Sequence, residues 1–208
     1  MKEVVYDWFG LNVWLFHFIN NIRSEFLDQV MLLGTALGTY RLVYYYFSAL
    51  CIIVLFVLVK KSKHSLSRSD IYFWLAPIIV LVLSLYFDGL FLKFLKPLLD
   101  MPRPLLALPL GTVHVVGIAE YHHSFPSGHS SFAMTMVASI WPILLRWQKW
   151  IAAIFVFWVG ISRISLGAHF PVDVVGGLLT SLIVVLVVRS LIVLIEKKFL
   201  DNQTVIKI

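Results

Sequence analysis

The sequence has few charged residues, and this scarcity excludes most soluble functions. Charged residues make up 13% of the 208 residues and hydrophobic residues make up 60%. Soluble domains have about 25% charged and about 45–50% apolar residues. A chain of this length cannot bury so many Leu, Ile, Val and Phe side chains inside one water-soluble core. The composition therefore excludes a soluble enzyme and a disordered chain.

The sequence also has almost no cysteine and no alternating strand pattern. Cys51 is the single cysteine, so an intramolecular disulfide and a secreted disulfide scaffold are excluded. The apolar runs are continuous, whereas the strands of a membrane barrel alternate apolar and polar residues. A helical protein that crosses a membrane several times remains.

The net charge of +6 falls in short loops between the apolar runs, so we expect it to set membrane topology and expect no nucleic-acid partner.

Five apolar segments are long enough, or nearly so, to cross the hydrocarbon layer of a bilayer, which takes about 20 residues. Two further segments are shorter or mixed with polar residues. Residues 8–22 favour an interfacial helix or a weak sixth span, and residues 27–38 favour a partial insertion or an extension of the first span. The predicted fold class is all-α: a polytopic integral-membrane bundle of five to six transmembrane helices, in one domain over residues 1–208. The five segments are residues 42–59, 71–95, 126–145, 150–164 and 172–195.

Basic residues are concentrated at one end of the predicted bundle. The positive-inside rule places them in the cytoplasm, and the loops after the second and fourth spans then face the extracytoplasmic side. The small size suits a bacterium, so we expect a multi-pass protein of the bacterial cytoplasmic (inner) membrane. Glu3 and Asp7 precede an apolar stretch with no small-residue cleavage site, which favours a mature N-terminus over a removed signal peptide. The basic residues are Lys60, Lys61, Lys63, Arg68, Arg146, Lys149, Lys197, Lys198 and Lys207.

Polar residues cluster at the span ends on the predicted extracytoplasmic side, where each must be solvated, paired or functional. Arginine grips phosphate oxygens in pairs and lysine supplies a point charge, while a helix start offers N–H groups to an anion. These features together predict a pocket for a phosphate-like dianion. The clustered residues are Lys96, Arg103, Ser127, Gly128, His129, Arg163, His169 and Asp173.

Two histidines in this set are candidates for the chemical step. Imidazole can attack phosphorus or pass a proton near neutral pH, so His129 and His169 are candidate nucleophile and acid–base groups. Asp173 lies four residues after His169. If the fifth helix starts near Pro171, a favourable first-turn residue, Asp173 reaches back and orients that imidazole.

Each signal has a structural alternative when it is taken singly. Lys96 could be an interfacial lysine that extends to the membrane surface, and a lone histidine is more often a satisfied interfacial side chain. His122 and His123 have no metal-ligand spacing, so we expect solvated loop residues. Asp88 lies eight residues before Lys96 on nearly the same helical face, and we expect it to form a structural ion pair with Lys93 or Lys96.

Three short motifs occur in a recognisable order. They are Lys96-x6-Arg103-Pro104, Pro126-Ser127-Gly128-His129 and Ser162-Arg163-x5-His169-x3-Asp173. Together they resemble the three-part signature of the type 2 phosphatidic acid phosphatase superfamily, which includes bacterial membrane lipid phosphatases and, distantly, vanadium haloperoxidases. The resemblance covers residues 96–173.

The resemblance implies a role for every signature residue and no metal cofactor. His169 would be the nucleophile that forms a phosphohistidine, Asp173 would orient it, and His129 would protonate the leaving oxygen. The remaining residues would bind the phosphoryl oxygens. They are Lys96, Arg103, Ser127, Gly128 and Arg163.

The expected function is an integral-membrane lipid phosphatase whose partners are the bilayer and a lipid phosphate at its outer face. Undecaprenyl diphosphate is the first expectation, and phosphatidylglycerol phosphate, phosphatidate and lipid A phosphates are the others. A lipid phosphotransferase with the same site and a non-catalytic lipid-phosphate binder or transporter are the alternatives, and a vanadate peroxidase is least favoured. We expect the loop 101–125, with His114, Glu120, His122 and His123, to shape head-group choice.

Overall fold

A computed structural model describes residues 7–63 and 65–205, with side chains as far as Glu196. Within these residues all regular structure is helical, so the all-α prediction is confirmed. Glu3 and Lys207, and the side chains of Lys197 and Lys198, lie outside what is described. The described helices are α1 (Leu11–Asn20), α2 (Glu25–Leu37), α3 (Val43–Ser62), α4 (Arg68–Leu99), α5 (Pro104–Ala107), α6 (Gly128–Ile140), α7 (Arg146–Ser165) and α8 (Pro171–Val205).

Three helical segments of the described chain are long and apolar enough to cross a membrane. They are Tyr40–Ser62, Arg68–Ala107 and Pro171–Glu196. The expected count of five to six spans is not confirmed. α6 has 13 residues and is about 20 Å long, and α7, although it has 20 residues, carries arginine in its first and last turns.

The N-terminal segment forms part of the bundle wall. α1 and α2 have 10 and 13 residues, which gives lengths of about 15 and 20 Å, too short to cross a bilayer alone. Phe16 of α1 is fully buried and its ring centroid lies 5.3 Å from that of Phe170. α2 packs along α7, where the hydroxyl groups of Thr35 and Ser162 are 3.1 Å apart. α2 is therefore a separate helix that lines α7 and does not lengthen α3.

α6 occupies the centre of the bundle and contacts α4, α7 and α8. Its buried residues are mostly small, including Ser130, Ser131 and Thr135, which have no exposed surface. Small residues let membrane helices approach closely. A Cβ atom added at Gly177 of α8 would lie 2.4 Å from the main-chain oxygen of Ser127. The glycine therefore permits the backbone contact that holds the start of α6 against α8.

The helix directions bring the predicted site to one end of the bundle. α4 and α7 end there, whereas α6 and α8 begin there, so the links after α3 and α6 lie at the opposite end. At that opposite end Lys61 Nζ contacts Asp70 Oδ1 at 2.5 Å. Large apolar side chains face outward between the two ends, for example Phe56 and Phe157, each 67% exposed. Soluble monomers rarely expose apolar surface on this scale, whereas lipid-facing helices require it.

Asp88 does not form the ion pair that we expected with Lys93 or Lys96. Its carboxylate is fully buried and accepts hydrogen bonds from the hydroxyl groups of Ser131 at 2.5 Å and Ser181 at 3.1 Å. None of the ion pairs among the described side chains includes it. Lys96 lies eight residues further along the helix, about 12 Å away, and Lys93 lies on another, exposed face.

Candidate active site

The candidate site lies at the bundle end where α4 and α7 end and α6 and α8 begin. The structure places all the residues predicted from the sequence at this end. Direct contacts join some of them, and the others are near enough to act through their charge. The residues are Lys96, Arg103, Ser127, Gly128, His129, Arg163, His169 and Asp173.

A tight loop between α7 and α8 fixes His169. The main-chain N–H groups of Ala168 and His169 both donate to the main-chain oxygen of Arg163, at 3.0 and 3.1 Å. Gly167 has a φ of +75°, and a Cβ atom there would lie 2.4 Å from the main-chain oxygen of His114. The loop therefore requires glycine for both its conformation and its packing. The His169 side chain is only 2% exposed, so the ring is held on all sides.

Asp173 orients the His169 ring. α8 begins at Pro171, which confirms the predicted helix start, and the Asp173 carboxylate reaches back one turn. Its Oδ2 lies 3.4 Å from His169 Nδ1 and also accepts hydrogen bonds from Phe170 N–H at 2.8 Å and Ser124 Oγ at 2.5 Å. A carboxylate beside Nδ1 favours the tautomer with the proton on Nδ1. The lone pair then remains on Nε2.

His169 is neutral in the folded protein. Burial holds its pKa well below the ordinary value, and the positive charges of Arg103, Arg163 and Lys96 lower the pKa further. A buried imidazole surrounded by cations binds a proton poorly. Its Nε2 therefore carries a free electron pair near neutral pH, as a nucleophile requires.

Arg103 contacts main-chain oxygens on one side and the His169 ring on the other. Its Nε donates to the main-chain oxygen of His122 at 3.0 Å, and its Nη1 donates to that of Ala168 at 3.1 Å. The same Nη1 lies 3.3 Å from His169 Nε2. Arg103 also forms an ion pair with Glu120. The guanidinium is therefore fixed beside His169 Nε2.

Arg163 approaches the same space from α7. Its Nη1 donates to the hydroxyl group of Thr35 at 2.9 Å, and its Nη2 lies 3.9 Å from Glu120 Oε2. Its Nε is buried and has no hydrogen-bond partner among the described residues. A buried, unpaired N–H of a guanidinium is costly unless a ligand binds it. The buried Nε of Arg163 can therefore donate to an anionic ligand.

Lys96 and His129 lie near the other site residues. Lys96 Nζ donates to the main-chain oxygen of His123 at 2.8 Å, and its charge acts on Arg103 and Asp173. His129 lies within electrostatic range of Arg163, Arg103 and Lys96. The site therefore brings three cationic side chains and two imidazoles within electrostatic range of one another.

The start of α6 offers main-chain donors to this space. Ser127 is buried, and its N–H donates to the main-chain oxygen of Asp173 at 2.9 Å. Its side chain does not cap the helix, so the first N–H groups of α6 are not used in that way. A Cβ atom at Gly128 would meet nothing within 4 Å. The open space at Gly128 lets an anion approach the helix start closely.

His122 and His123 are loop residues with exposed side chains, as predicted. His122 and His123 Nδ1 lie 3.7 and 3.1 Å from Asp100 Oδ1. Their main-chain oxygens, and not their rings, contact the site through Arg103 and Lys96. No group of three or more His, Cys, Asp or Glu side chains converges within the described residues.

Several supporting residues were missed by reasoning from the sequence. Asn12 accepts a hydrogen bond from Val172 N–H at 3.0 Å, and Asn20 donates to the main-chain oxygen of Ser165 at 2.8 Å. Both are buried, and a polar side chain within an apolar helix was the signal that marked them. Ser124 and Thr35 carried no comparable signal, because serine and threonine are common throughout apolar helices and loops.

A family profile matches much of the chain. The profile described as the PAP2 superfamily matches residues 77–195, which is more than half of the sequence and includes every candidate site residue. The chain belongs to the PAP2 superfamily. This assignment confirms the resemblance that the three motifs indicated.

Individual PAP2 relatives in bacteria are similar over part or most of the chain. Undecaprenyl-diphosphatase BcrC of Bacillus subtilis is 36% identical over 46% of this chain and 48% of its own length. Phosphatidylglycerophosphatase B of the same species is 37% identical over 50% of this chain and 52% of its own. The matches thus span about half the length of these two relatives. Bacitracin transport permease protein BcrC of Bacillus licheniformis is 30% identical over 81% of this chain and 74% of its own length.

Two solved structures share the fold. Aquifex aeolicus LpxE superposes with a TM-score of 0.67 and 26% identity, covering 86% of this chain and 94% of that protein. The transmembrane PAP2 type phosphatidylglycerolphosphate phosphatase of Bacillus subtilis has a TM-score of 0.64 and 25% identity, covering 88% of this chain and 84% of that protein. The helical bundle is therefore the membrane PAP2 fold.

Proposed function

We propose that this PAP2 protein is a lipid phosphatase that hydrolyses the terminal phosphate of a lipid phosphate or lipid diphosphate through a phosphohistidine on His169. One observation carries the proposal. The neutral His169 ring has Nδ1 facing Asp173 and Nε2 facing Arg103, in a space where cations from three segments meet. This is the arrangement that a nucleophile for an anionic phosphoryl group requires.

In the first step His169 Nε2 attacks phosphorus. A nitrogen–phosphorus bond forms and the bond from phosphorus to the lipid-bearing oxygen breaks. His129 gives that oxygen a proton. We infer that His129 is protonated only once the anionic head group has bound, because burial and the nearby cations disfavour its charged form before the head group enters. The ring of His169 becomes positively charged, and the Asp173 carboxylate at Nδ1 stabilises this charge. The products of the step are a dephosphorylated lipid oxygen and a phosphohistidine.

In the second step water hydrolyses the phosphohistidine. His129, now neutral, takes a proton from the water as its oxygen attacks phosphorus, because the group that served as acid serves as base in return. The nitrogen–phosphorus bond breaks, inorganic phosphate leaves, and His169 regains its lone pair. Both histidines return to their starting states, so no cofactor enters the balance.

The cations act on the charge of the transferred group. Negative charge spreads over the phosphoryl oxygens in the transition state, and fixed donors aimed at them lower the barrier without reorganising. Arg103 and Arg163 are already held by the fold, and Lys96 adds a third positive charge. Ser127 and the main-chain N–H of Gly128 complete the proposed phosphoryl site.

Undecaprenyl diphosphate is the substrate that we propose first. The relatives named above include an undecaprenyl-diphosphatase. The basic residues around Lys61, at the other end of the bundle, support our proposal that the site faces the extracytoplasmic side of the inner membrane. Phosphatidylglycerol phosphate, phosphatidate and lipid A phosphates share the same terminal group, and a substrate panel separates them.

The test is phosphate release from purified lipid phosphates by the detergent-solubilised protein, with EDTA present because the proposed site uses no metal. We expect turnover of undecaprenyl diphosphate above the other lipids. We expect His169→Ala to reduce turnover by at least about 1,000-fold, since removal of a nucleophile leaves only the binding contribution.

The matched control is His122→Ala, which removes an exposed imidazole from the same end of the molecule, and it should retain turnover. Full turnover by the His169→Ala protein would refute the nucleophile. Phosphorylated lipid acceptor in place of free phosphate would identify a phosphotransferase. Head-group binding without turnover, unaffected by His169→Ala, would identify a binder or transporter.

A further inference from the structure

A carboxylate lies in the space assigned to the substrate. Glu120 Oε2 forms an ion pair with Arg103 Nη1 and lies 3.9 Å from Arg163 Nη2. One oxygen thus stands between the two guanidinium groups that would bind the phosphoryl oxygens. A carboxylate and a phosphoryl group present the same kind of anionic oxygen to arginine, so the two compete for this position.

Glu120 enters the site from outside the helical framework. It belongs to the loop between α5 and α6, and Gly117, three residues before it, has a φ of +97°. The Glu120 side chain is 47% exposed, whereas the side chains of Arg103 and Arg163 are each 10% exposed. The arginines therefore belong to the rigid wall of the site, and the carboxylate reaches them from a solvent-exposed loop.

The arginines do not depend on Glu120 for their positions. Arg103 keeps its bonds to the main-chain oxygens of His122 and Ala168 if the carboxylate leaves. Arg163 keeps its bond to Thr35. An acidic residue that served only to position these cations would duplicate contacts that already exist. The position of Glu120 is therefore better explained if the carboxylate occupies the phosphoryl position than if it holds the arginines in place.

We propose that Glu120 is a specificity-determining competitor: it occupies the phosphoryl position in the resting protein and keeps free phosphate out. This inference rests on the proposed function, because it takes Arg103 and Arg163 as the phosphoryl-binding groups. A phosphoryl group carries more charge than a carboxylate and contacts both arginines through separate oxygens. It displaces Glu120 when its local concentration is high enough.

A lipid phosphate anchored in the membrane reaches the local concentration needed to displace Glu120, whereas a soluble anion does not. A lipid tail confines the head group near the bilayer surface and raises its effective concentration at the site. Free phosphate arrives only at its bulk concentration. The same competition promotes departure of the phosphate product, because Glu120 returns to the arginines. Glu120 thus excludes soluble phosphates at their bulk concentration, whereas lipid phosphates reach a local concentration that displaces it.

The test measures binding of inorganic phosphate to the full-length protein in detergent by isothermal titration calorimetry. A site that is open about a tenth of the time has an apparent dissociation constant about tenfold above the intrinsic one. We therefore expect Glu120→Gln and Glu120→Ala to bind phosphate about tenfold more tightly than the unmodified protein. Phosphate should also inhibit lipid turnover about tenfold more strongly in both variants.

The control is Glu25→Gln, which removes an exposed negative charge at the start of α2 and should leave phosphate binding unchanged. Unchanged or weaker phosphate binding in both Glu120 variants overturns the proposal, as does binding too weak to detect in all the proteins. A lower kcat together with weaker phosphate binding would show that Glu120 positions the arginines.

Binding and turnover separate this proposal from the proposed function. If the Glu120 variants bind phosphate more tightly but neither they nor the unmodified protein turns over lipid, the competitor role of Glu120 is supported and the phosphatase function is refuted. Lipid turnover by the unmodified protein, with no tightening in the variants, would sustain the phosphatase and refute the competitor.

Discussion

At the scale of single residues, uncharged neighbours hold the charged groups of the site in place. Two main-chain oxygens hold Arg103, and the hydroxyl group of Thr35 holds Arg163. The hydroxyl group of Ser124 and a main-chain N–H hold Asp173. Donors that are fixed before a substrate arrives need no reorganisation during the reaction. The fold therefore sets the geometry of the site.

Gly128 gives a prediction at this scale. A methyl group there would meet nothing within 4 Å, so the fold does not require glycine and Gly128→Ala should keep the melting temperature of the protein. The methyl group would fill space beside the first N–H groups of α6, where we place the phosphoryl oxygens. Loss of about one charge-assisted hydrogen bond corresponds to about a tenfold rise in KM for the lipid substrate.

Steady-state kinetics and a thermal melt of the same preparation measure both effects. Gly89→Ala is the control, because Gly89 also faces open space but lies in the middle of α4. A Gly128→Ala protein with the kinetics of the Gly89→Ala protein would contradict a phosphoryl site at the start of α6.

The sequence predicted the charged residues of the site better than their supports. Arg163 and His169 flank the end of an apolar segment, where a polar residue needs an explanation. Thr35 contacts Arg163 across 128 residues of sequence, and no local pattern encodes such a contact. Glu120 lies in a loop without periodicity, so its position between two arginines could not be predicted.

At the scale of helices, one buried hydrogen-bonded group ties the central elements together. Asp88 of α4 accepts hydrogen bonds from Ser131 of α6, Ser181 of α8 and Tyr40, whose hydroxyl group lies at 3.2 Å. Ser131 lies in the first turn of α6, three residues after Gly128. The group therefore fixes where α6 starts relative to α4 and α8.

Asp88→Ala should destabilise the protein, because the buried hydroxyl group of Ser131 and the partly buried hydroxyl group of Tyr40 lose this acceptor, whereas Ser181 keeps the main-chain oxygen of Gly177 at 2.8 Å. An unsatisfied buried donor costs about 1–3 kcal/mol, so we expect the free energy of unfolding to fall by about that amount. Denaturant unfolding in detergent, followed by tryptophan fluorescence, measures it. Turnover should fall as well, since the start of α6 loses one of its anchors.

Glu25→Ala serves as the control, because it removes an acidic side chain from an exposed helix start. If Asp88→Ala unfolds at the same denaturant concentration as the control, the carboxylate is not a structural tie between the helices.

The order of the helices could be predicted from the sequence, but the centre of the bundle could not. Apolar length predicted α3, α4 and α8 because a membrane span leaves a long uninterrupted signal. α6 is short and rich in serine, and it is central because small residues permit close helix packing. Whether a short helix packs at the centre depends on the helices around it, which its own sequence does not show. The ion pair predicted for Asp88 was wrong for the same reason, since helical spacing alone does not show what α6 and α8 place beside it.

At the scale of the whole molecule, the fold combines an apolar outer surface with one polar end. Outward-facing residues such as Phe56 are exposed, while His169, in the loop that joins α7 to α8, and Asp173, in the first turn of α8, are buried. A lipid can thus keep its tail beside the helices while its head group enters the polar end. Membrane attachment and phosphoryl chemistry are parts of a single arrangement.

The most direct test of this account is whether His169 becomes phosphorylated during turnover. The protein is mixed with a lipid substrate labelled in its terminal phosphate, quenched within one turnover, digested and analysed by mass spectrometry under alkaline conditions that preserve phosphohistidine. The account predicts label on His169 in the unmodified protein and none in the His169→Ala protein. Rapid release of labelled phosphate with no label on His169, or with label on another residue, would contradict it.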